Sequence, residues 1–156
     1  MSKLPVLFEI ELKAPLSFCF AWLTDYQPTD KDINPGLSKR TVVERSKDVV
    51  KLIDESMGTP YNKRNSTIAL HAPDAWDAEA EGTIYDYDLH YRLVPEARGT
   101  RLAISGVVRT KPACPFKTRQ ENDARFTKAW ALYKAALERD FEASKHSVAT
   151  QRNDRP

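Results

Sequence analysis

The chain is poor in glycine, cysteine and histidine, with 5, 2 and 3 residues among 156. So few glycines leave no Gly-rich loop to cradle a phosphate. Two cysteines, Cys19 and Cys114, cannot build a metal site by themselves. Cys19 sits in an apolar helical stretch and Cys114 between prolines, so both read as spectator thiols of a reducing compartment. His71, His90 and His146 stand far apart, and no Ser-His-Asp order accompanies them. Neither sign of charge dominates: the formal net charge is +2. Binding phosphates needs a concentrated basic face, so no nucleic-acid partner is expected. No apolar run is long enough to span a membrane, and no stable membrane insertion is expected. The N-terminal Met1-Ser2-Lys3-Leu4-Pro5 lacks the basic and long apolar regions of a signal peptide, which points to the cytoplasm.

What is present is alternation. In the run Thr83 to Leu93, aromatic and apolar residues take the odd positions from Tyr85 onward and charged or polar residues most even ones. Strand side chains point alternately to opposite faces. One face therefore carries Tyr85, Tyr87, Leu89, Tyr91 and Leu93, and the other Asp86, Asp88, His90 and Arg92. A buried tyrosine hydroxyl needs a hydrogen-bond partner, so three on one face suit a cavity better than a dry core. The opposing reading is ordinary core aromatics whose hydroxyls reach backbone or water.

The rest of the chain supplies a frame. Val6, Phe8, Ile10 and Leu12 alternate as a first strand. Pro15 suits the opening of a helix carrying Phe18, Cys19, Trp22, Leu23 and Tyr26. Gln27 to Gly36 reads as a short helix or turn and then a loop. Strand signals follow over residues 39–45, 49–57, 66–71, 76–80 and 101–109, with turns at Ser46-Lys47-Asp48, Gly58-Thr59-Pro60 and Pro73-Asp74. From Lys117 to about Ser144 there is neither Pro nor Gly, and Phe126, Trp130, Tyr133, Leu137 and Phe141 recur at helical steps. Short hairpins imply an antiparallel sheet, and the long helix must bury its apolar stripe against it. The fold class is α+β: a curved antiparallel sheet of about six to seven strands wrapped around a long C-terminal helix.

This order resembles the helix-grip fold, and the chain is similar to the SRPBCC superfamily. That group includes START lipid-transfer domains, birch-pollen-allergen-like proteins and polyketide cyclase/dehydrase-like proteins. Three patterns carry the resemblance: the strand-Pro-helix opening from Phe8 to Trp22; Tyr91-Arg92-Leu93-Val94-Pro95-Glu96 followed by Gly99-Thr100-Arg101-Leu102; and the final helix. They mark a fold and no catalytic site. The resemblance implies one START-like domain over residues 3–145, and the polar composition of residues 146–156 reads as a disordered tail. The resemblance also implies a cavity between sheet and helix that holds an apolar or amphipathic small molecule.

The candidate ligand-binding residues are Tyr85, Tyr87, Leu89 and Tyr91, with Leu102, Ile104 and Val108 from the last strand. Phe126, Trp130, Tyr133 and Leu137 face them from the helix. Phe8, Ile10, Ile68 and Leu70 complete the expected lining. Asp86, Asp88 and His90 share the other face at steps of two. Such neighbours are roughly 6.6–7 Å apart, too far to converge on one ion, so no metal and no cofactor are expected. His71 reads as a surface histidine or as one at the cavity rim.

Three functions are open. The first is binding or transport of a small hydrophobic or amphipathic ligand of lipid, sterol, quinone or aromatic type. The second is a cyclase or dehydratase acting on an aromatic or polyketide-like substrate through cavity tyrosines. It needs an acid–base pair inside, and the acids of the tyrosine strand face outward. The third is a partner-binding module, which a large exposed apolar patch beside the long helix would favour.

Overall fold

A computed structural model describes residues 2–153, and side chains as far as His146. Strand β1 (Lys3–Leu12) leads into helix α1 (Leu16–Leu23) and a short 3-10 helix (Pro28–Asp32). Six strands follow: β2 (Lys39–Arg45), β3 (Val49–Ser56), β4 (Asn62–His71), β5 (Ala75–Gly82), β6 (Tyr85–Glu96) and β7 (Gly99–Thr110). The chain then enters helix α2 (Arg119–Asn153). The expected disordered tail falls on the end of α2 and on residues 154–156, which lie outside the described residues.

All seven strands form one antiparallel sheet in the order β1-β7-β6-β5-β4-β3-β2. The first strand thus closes against the last, and β1 and β2 are the two edges. The curved sheet with a long C-terminal helix is the helix-grip fold expected from the sequence.

Burial follows the period-two pattern of half-buried strands. Leu4, Val6 and Leu12 of β1 and Leu102, Ile104 and Val108 of β7 are buried. Facing pairs such as Phe8 with Ile104 and Ile10 with Leu102 make one continuous apolar surface. Gly106 sits mid-strand in β7 at φ +139°, where a Cβ would stand 2.0 Å from the Asp88 carbonyl oxygen. Only glycine lets β6 and β7 approach so closely there.

Helix α2 begins on a cap. Thr118 Oγ1 accepts the Glu121 N–H (3.1 Å) and donates to the Glu121 carboxylate (3.0 Å). Its second half is seated on β1 and α1. Glu138 accepts the Lys13 N–H (2.8 Å), Lys134 Nζ donates to the Glu11 carbonyl (2.6 Å), and Trp22 Nε1 donates to Asp140 (2.8 Å). Phe141 packs on Phe18 and Phe126 on Phe8. The helix therefore rests solidly on the β1–β7 side of the sheet.

Candidate functional site

Over β3–β6 the inner face is short in places. Ser66 of β4, Ala78 of β5 and Ala129 of α2 all border the same space, and small side chains cannot fill it. A cavity of about 180 Å³ results. Tyr85, Tyr87, Leu89 and Tyr91 of β6 line it, as do Val108, Phe126, Trp130 and Tyr133. The alternating face of β6 thus points inward with the phase read from the sequence.

Three expected wall residues do not reach it. Leu102 and Ile104 of β7 and Leu137 of α2 are fully buried in the apolar core and do not line the cavity. Phe8, Ile10 and Leu70 also lie outside the lining, whereas Ile68 belongs to it. The reason is where the helix lies. It packs on the β1–β7 side and leaves most of the space over β3–β6, so cavity and core share the sheet unequally.

Rings make a continuous wall from sheet to helix. Trp76 of β5 stacks on Tyr91 (centroids 4.9 Å apart, 7° between planes). Tyr91 meets Trp130 at 6.3 Å and Trp130 meets Tyr133 at 5.3 Å. Trp22 and Tyr26, from the end of α1 and the turn after it, close the other side. Burial raises the pKa of Tyr26, Tyr87, Tyr91 and Tyr133. At neutral pH these four are protonated phenols that can donate hydrogen bonds.

One side of the cavity is charged, which the sequence reading did not anticipate. Arg40, Asp54 and Arg64 face one another across β2, β3 and β4 in direct register. Arg40 grips Asp54 with a fork, Nε to Oδ1 at 2.9 Å and Nη2 to Oδ2 at 3.0 Å. Its remaining nitrogen reaches Asp30 at 2.6 Å, tying the 3-10 helix to the sheet. Arg64 Nη2 lies 3.5 Å from Asp54 Oδ2. Burial alone would lower the pKa of Arg40 and Arg64. The Asp54 carboxylate outweighs it at Arg40, and the phenol oxygens of Tyr85 and Tyr87 followed by Asp54 outweigh it at Arg64, so both guanidiniums titrate above their ordinary value. Burial raises the pKa of Asp30, with Arg40 opposing it.

Arg64 also donates to the Tyr85 hydroxyl, and Arg125 of α2 reaches the same oxygen at 3.4 Å. Arg125 lies over the rings of Phe116 (4.3 Å) and Tyr85 (4.9 Å) and donates to Asn122 Oδ1 at 2.9 Å.

The sequence carried a signal for these residues. Asp54 shares the phase of Val50 and Leu52 on β3, and Arg64 shares that of Ser66 and Ile68 on β4. Period two alone turns both inward.

The outer face of β6 behaves as expected. Asp86 pairs with Lys111 (3.2 Å), Asp88 with Arg109 (2.7 Å) and His90 with Asp77 (2.6 Å). His71 is an exposed surface residue on the same carboxylate (3.0 Å) and is not at the cavity rim. Hydrogen bonding to His90, then to His71, holds Asp77 below the usual carboxylate range. No cluster that could hold a metal ion occurs among the described residues. Nor is any described helix long and apolar enough to cross a membrane. Exposed large apolar residues are spread over β1 (Leu7), β2 (Val43), the β3–β4 turn (Met57, Tyr61) and α2 (Leu132).

The curved sheet gripping the long helix is a START-like, helix-grip fold. Solved structures carry the same arrangement at low sequence identity. A START superfamily protein from Mycobacterium smegmatis matches with a TM-score of 0.67 at 14% identity, over 89% of this chain and 97% of that one. The Zhui aromatase/cyclase from Streptomyces sp. R1128 matches with a TM-score of 0.67 at 16% identity, over 90% and 94%. The di-domain aromatase/cyclase StfQ of the steffimycin biosynthetic pathway matches with a TM-score of 0.71 at 10% identity, over 94% of this chain and 53% of that one. These likenesses establish the fold. No family model matches the chain, and no curated protein matches it at a significant level.

Proposed function

We propose that this protein binds one small, ring-bearing ligand in the cavity between sheet and α2. The supporting observation is the cavity's size combined with its aromatic wall. A cavity of about 150 Å³ takes one benzene, so about 180 Å³ takes a single ring with a few substituent atoms. Sterols and long acyl chains need far more room, which narrows the ligand to aromatic or small quinone type. Stacked Trp76 and Tyr91, with Trp130 opposite, offer flat apolar faces, and tyrosine hydroxyls offer a few oriented polar contacts.

Native mass spectrometry of the purified protein, with organic extraction of whatever is released, is the direct test. A stoichiometric single-ring compound is the expected result. Ala78→Leu fills the cavity and should abolish its capture while the fold persists. Retention by that variant would place the ligand elsewhere and defeat the proposal.

A second reading has one observation in its favour: a carboxylate, Asp54, lies inside the cavity beside Arg64 and Tyr85. That is the setting of a cyclase-type enzyme on an aromatic or polyketide-like substrate. Both carboxylate oxygens of Asp54 already face guanidinium nitrogens, however, Oδ1 that of Arg40 and Oδ2 those of Arg40 and Arg64, so neither is free for a substrate. Tyr85→Phe separates the two readings. A binding protein keeps its affinity within about threefold, the size of one modest hydrogen bond. An enzyme loses most of its turnover.

A further inference from the structure

The cavity holds more positive than negative charge and more donors than acceptors. Asp30 and Asp54 balance Arg40 and Arg64. Arg125 has no carboxylate at ion-pair distance among the described residues; its contacts are Asn122, the Tyr85 hydroxyl and three aromatic rings. Arg64 and Arg125 converge on one neutral oxygen, that of Tyr85. Two cations drawn together at low dielectric repel each other unless an anion joins them.

The unsatisfied atoms point the same way. Arg64 Nε, Arg125 Nε and Trp76 Nε1 are buried without a hydrogen-bond partner, and all three can only donate. Ser66 Oγ is the fourth such atom of the lining. Trp76 Nε1 and Ser66 Oγ stand near enough to the Tyr26 and Tyr87 hydroxyls to influence them, but not in bonding geometry.

We infer that the ligand is a single-ring aromatic oxyanion, a carboxylate or phenolate. Its charged oxygen sits between Arg125 and Arg64 beside Tyr85, and its ring lies against the wall formed by Trp76, Tyr91 and Trp130. The inference rests on the reading of the cavity as a ligand site and adds the charge of what enters it.

Calorimetric titration at neutral pH with benzoate, nitrobenzene and benzamide tests it. The three share size and shape. Nitrobenzene keeps benzoate's two acceptor oxygens without the charge, and benzamide adds donors that the site would not match. Benzoate should bind at least about tenfold more tightly than nitrobenzene, as expected for a charged hydrogen-bonded pair. Benzamide should be the weakest. Arg125→Met keeps the side-chain stem over Phe116 and should bring the benzoate-to-nitrobenzene ratio close to one. Arg125→Lys should restore part of it. A melting curve on each variant confirms that it is folded. If benzoate and nitrobenzene bind the native protein equally, the cavity reading stands and the anion inference falls. If the ratio survives in Arg125→Met, the inference also falls. If none of the three binds at millimolar concentration, the cavity reading fails and takes the inference with it.

Discussion

Asp54 shows how one side chain can organise a site. It is 4% exposed and touches two guanidinium groups. Removing its charge would leave Arg40 and Arg64 facing each other inside the cavity with only Asp30 to answer them. Breaking a buried pair by deleting one partner costs about 3–5 kcal/mol, because the remaining charge is left uncompensated. Asp54→Asn should therefore lower unfolding stability by about 3 kcal/mol in urea titrations. A cost below about 1 kcal/mol would mean that water screens the cluster. Its place was readable from phase, since it follows Val50 and Leu52 at steps of two. Its partners were not, because register between β2, β3 and β4 depends on turn geometry and on the bulge between Val42 and Glu44.

At the scale of elements, β6 and α2 were legible because each carries its own period. How α2 lies across the sheet was not. Leu102, Ile104 and Leu137 have the same apolar character as the true wall residues, and only the seating of the helix separates core from cavity. Glu138 is central to that seating. Burial opposes its charge, but hydrogen bonds from Lys134 and the Lys13 N–H outweigh burial and hold its pKa below the ordinary value. A carboxyl whose folded pKa is depressed adds stability above its unfolded pKa, and that contribution is lost as pH falls through the folded value. Glu138→Gln should therefore cost about 1 kcal/mol at neutral pH. The difference from the native protein should shrink as the pH falls below about 4.3, the unfolded glutamate value. Paired denaturation curves at neutral and acid pH measure it, and a gap that stays constant with pH would show that the carboxylate does not anchor the helix.

For the molecule as a whole, one sheet must both close against β1 and open over β3–β6. Gly106 is the backbone concession that brings β6 and β7 together, and a Cβ there meets the Asp88 carbonyl. Gly106→Ala combines that overlap with an unfavourable φ. It should destabilise the fold by about 3 kcal/mol, at the high end for single substitutions. Chemical denaturation gives the value, and a near-neutral result would mean that the two strands can separate without loss. Sequence alone could not mark this glycine. It sits in an otherwise regular strand, and its necessity comes from the neighbouring chain.

The distribution of aromatic residues has an optical consequence. Trp22, Trp76 and Trp130 are all the tryptophans of the chain, and all three line the cavity, as do five of its six tyrosines. Light absorbed near 280 nm is thus collected almost entirely around one small volume, and the indole emission carries no background from elsewhere in the fold. The unlabelled protein is its own fluorescent sensor. Whatever enters the cavity will change the colour or intensity of that emission, and a molecule bound anywhere else will leave it nearly dark to the event.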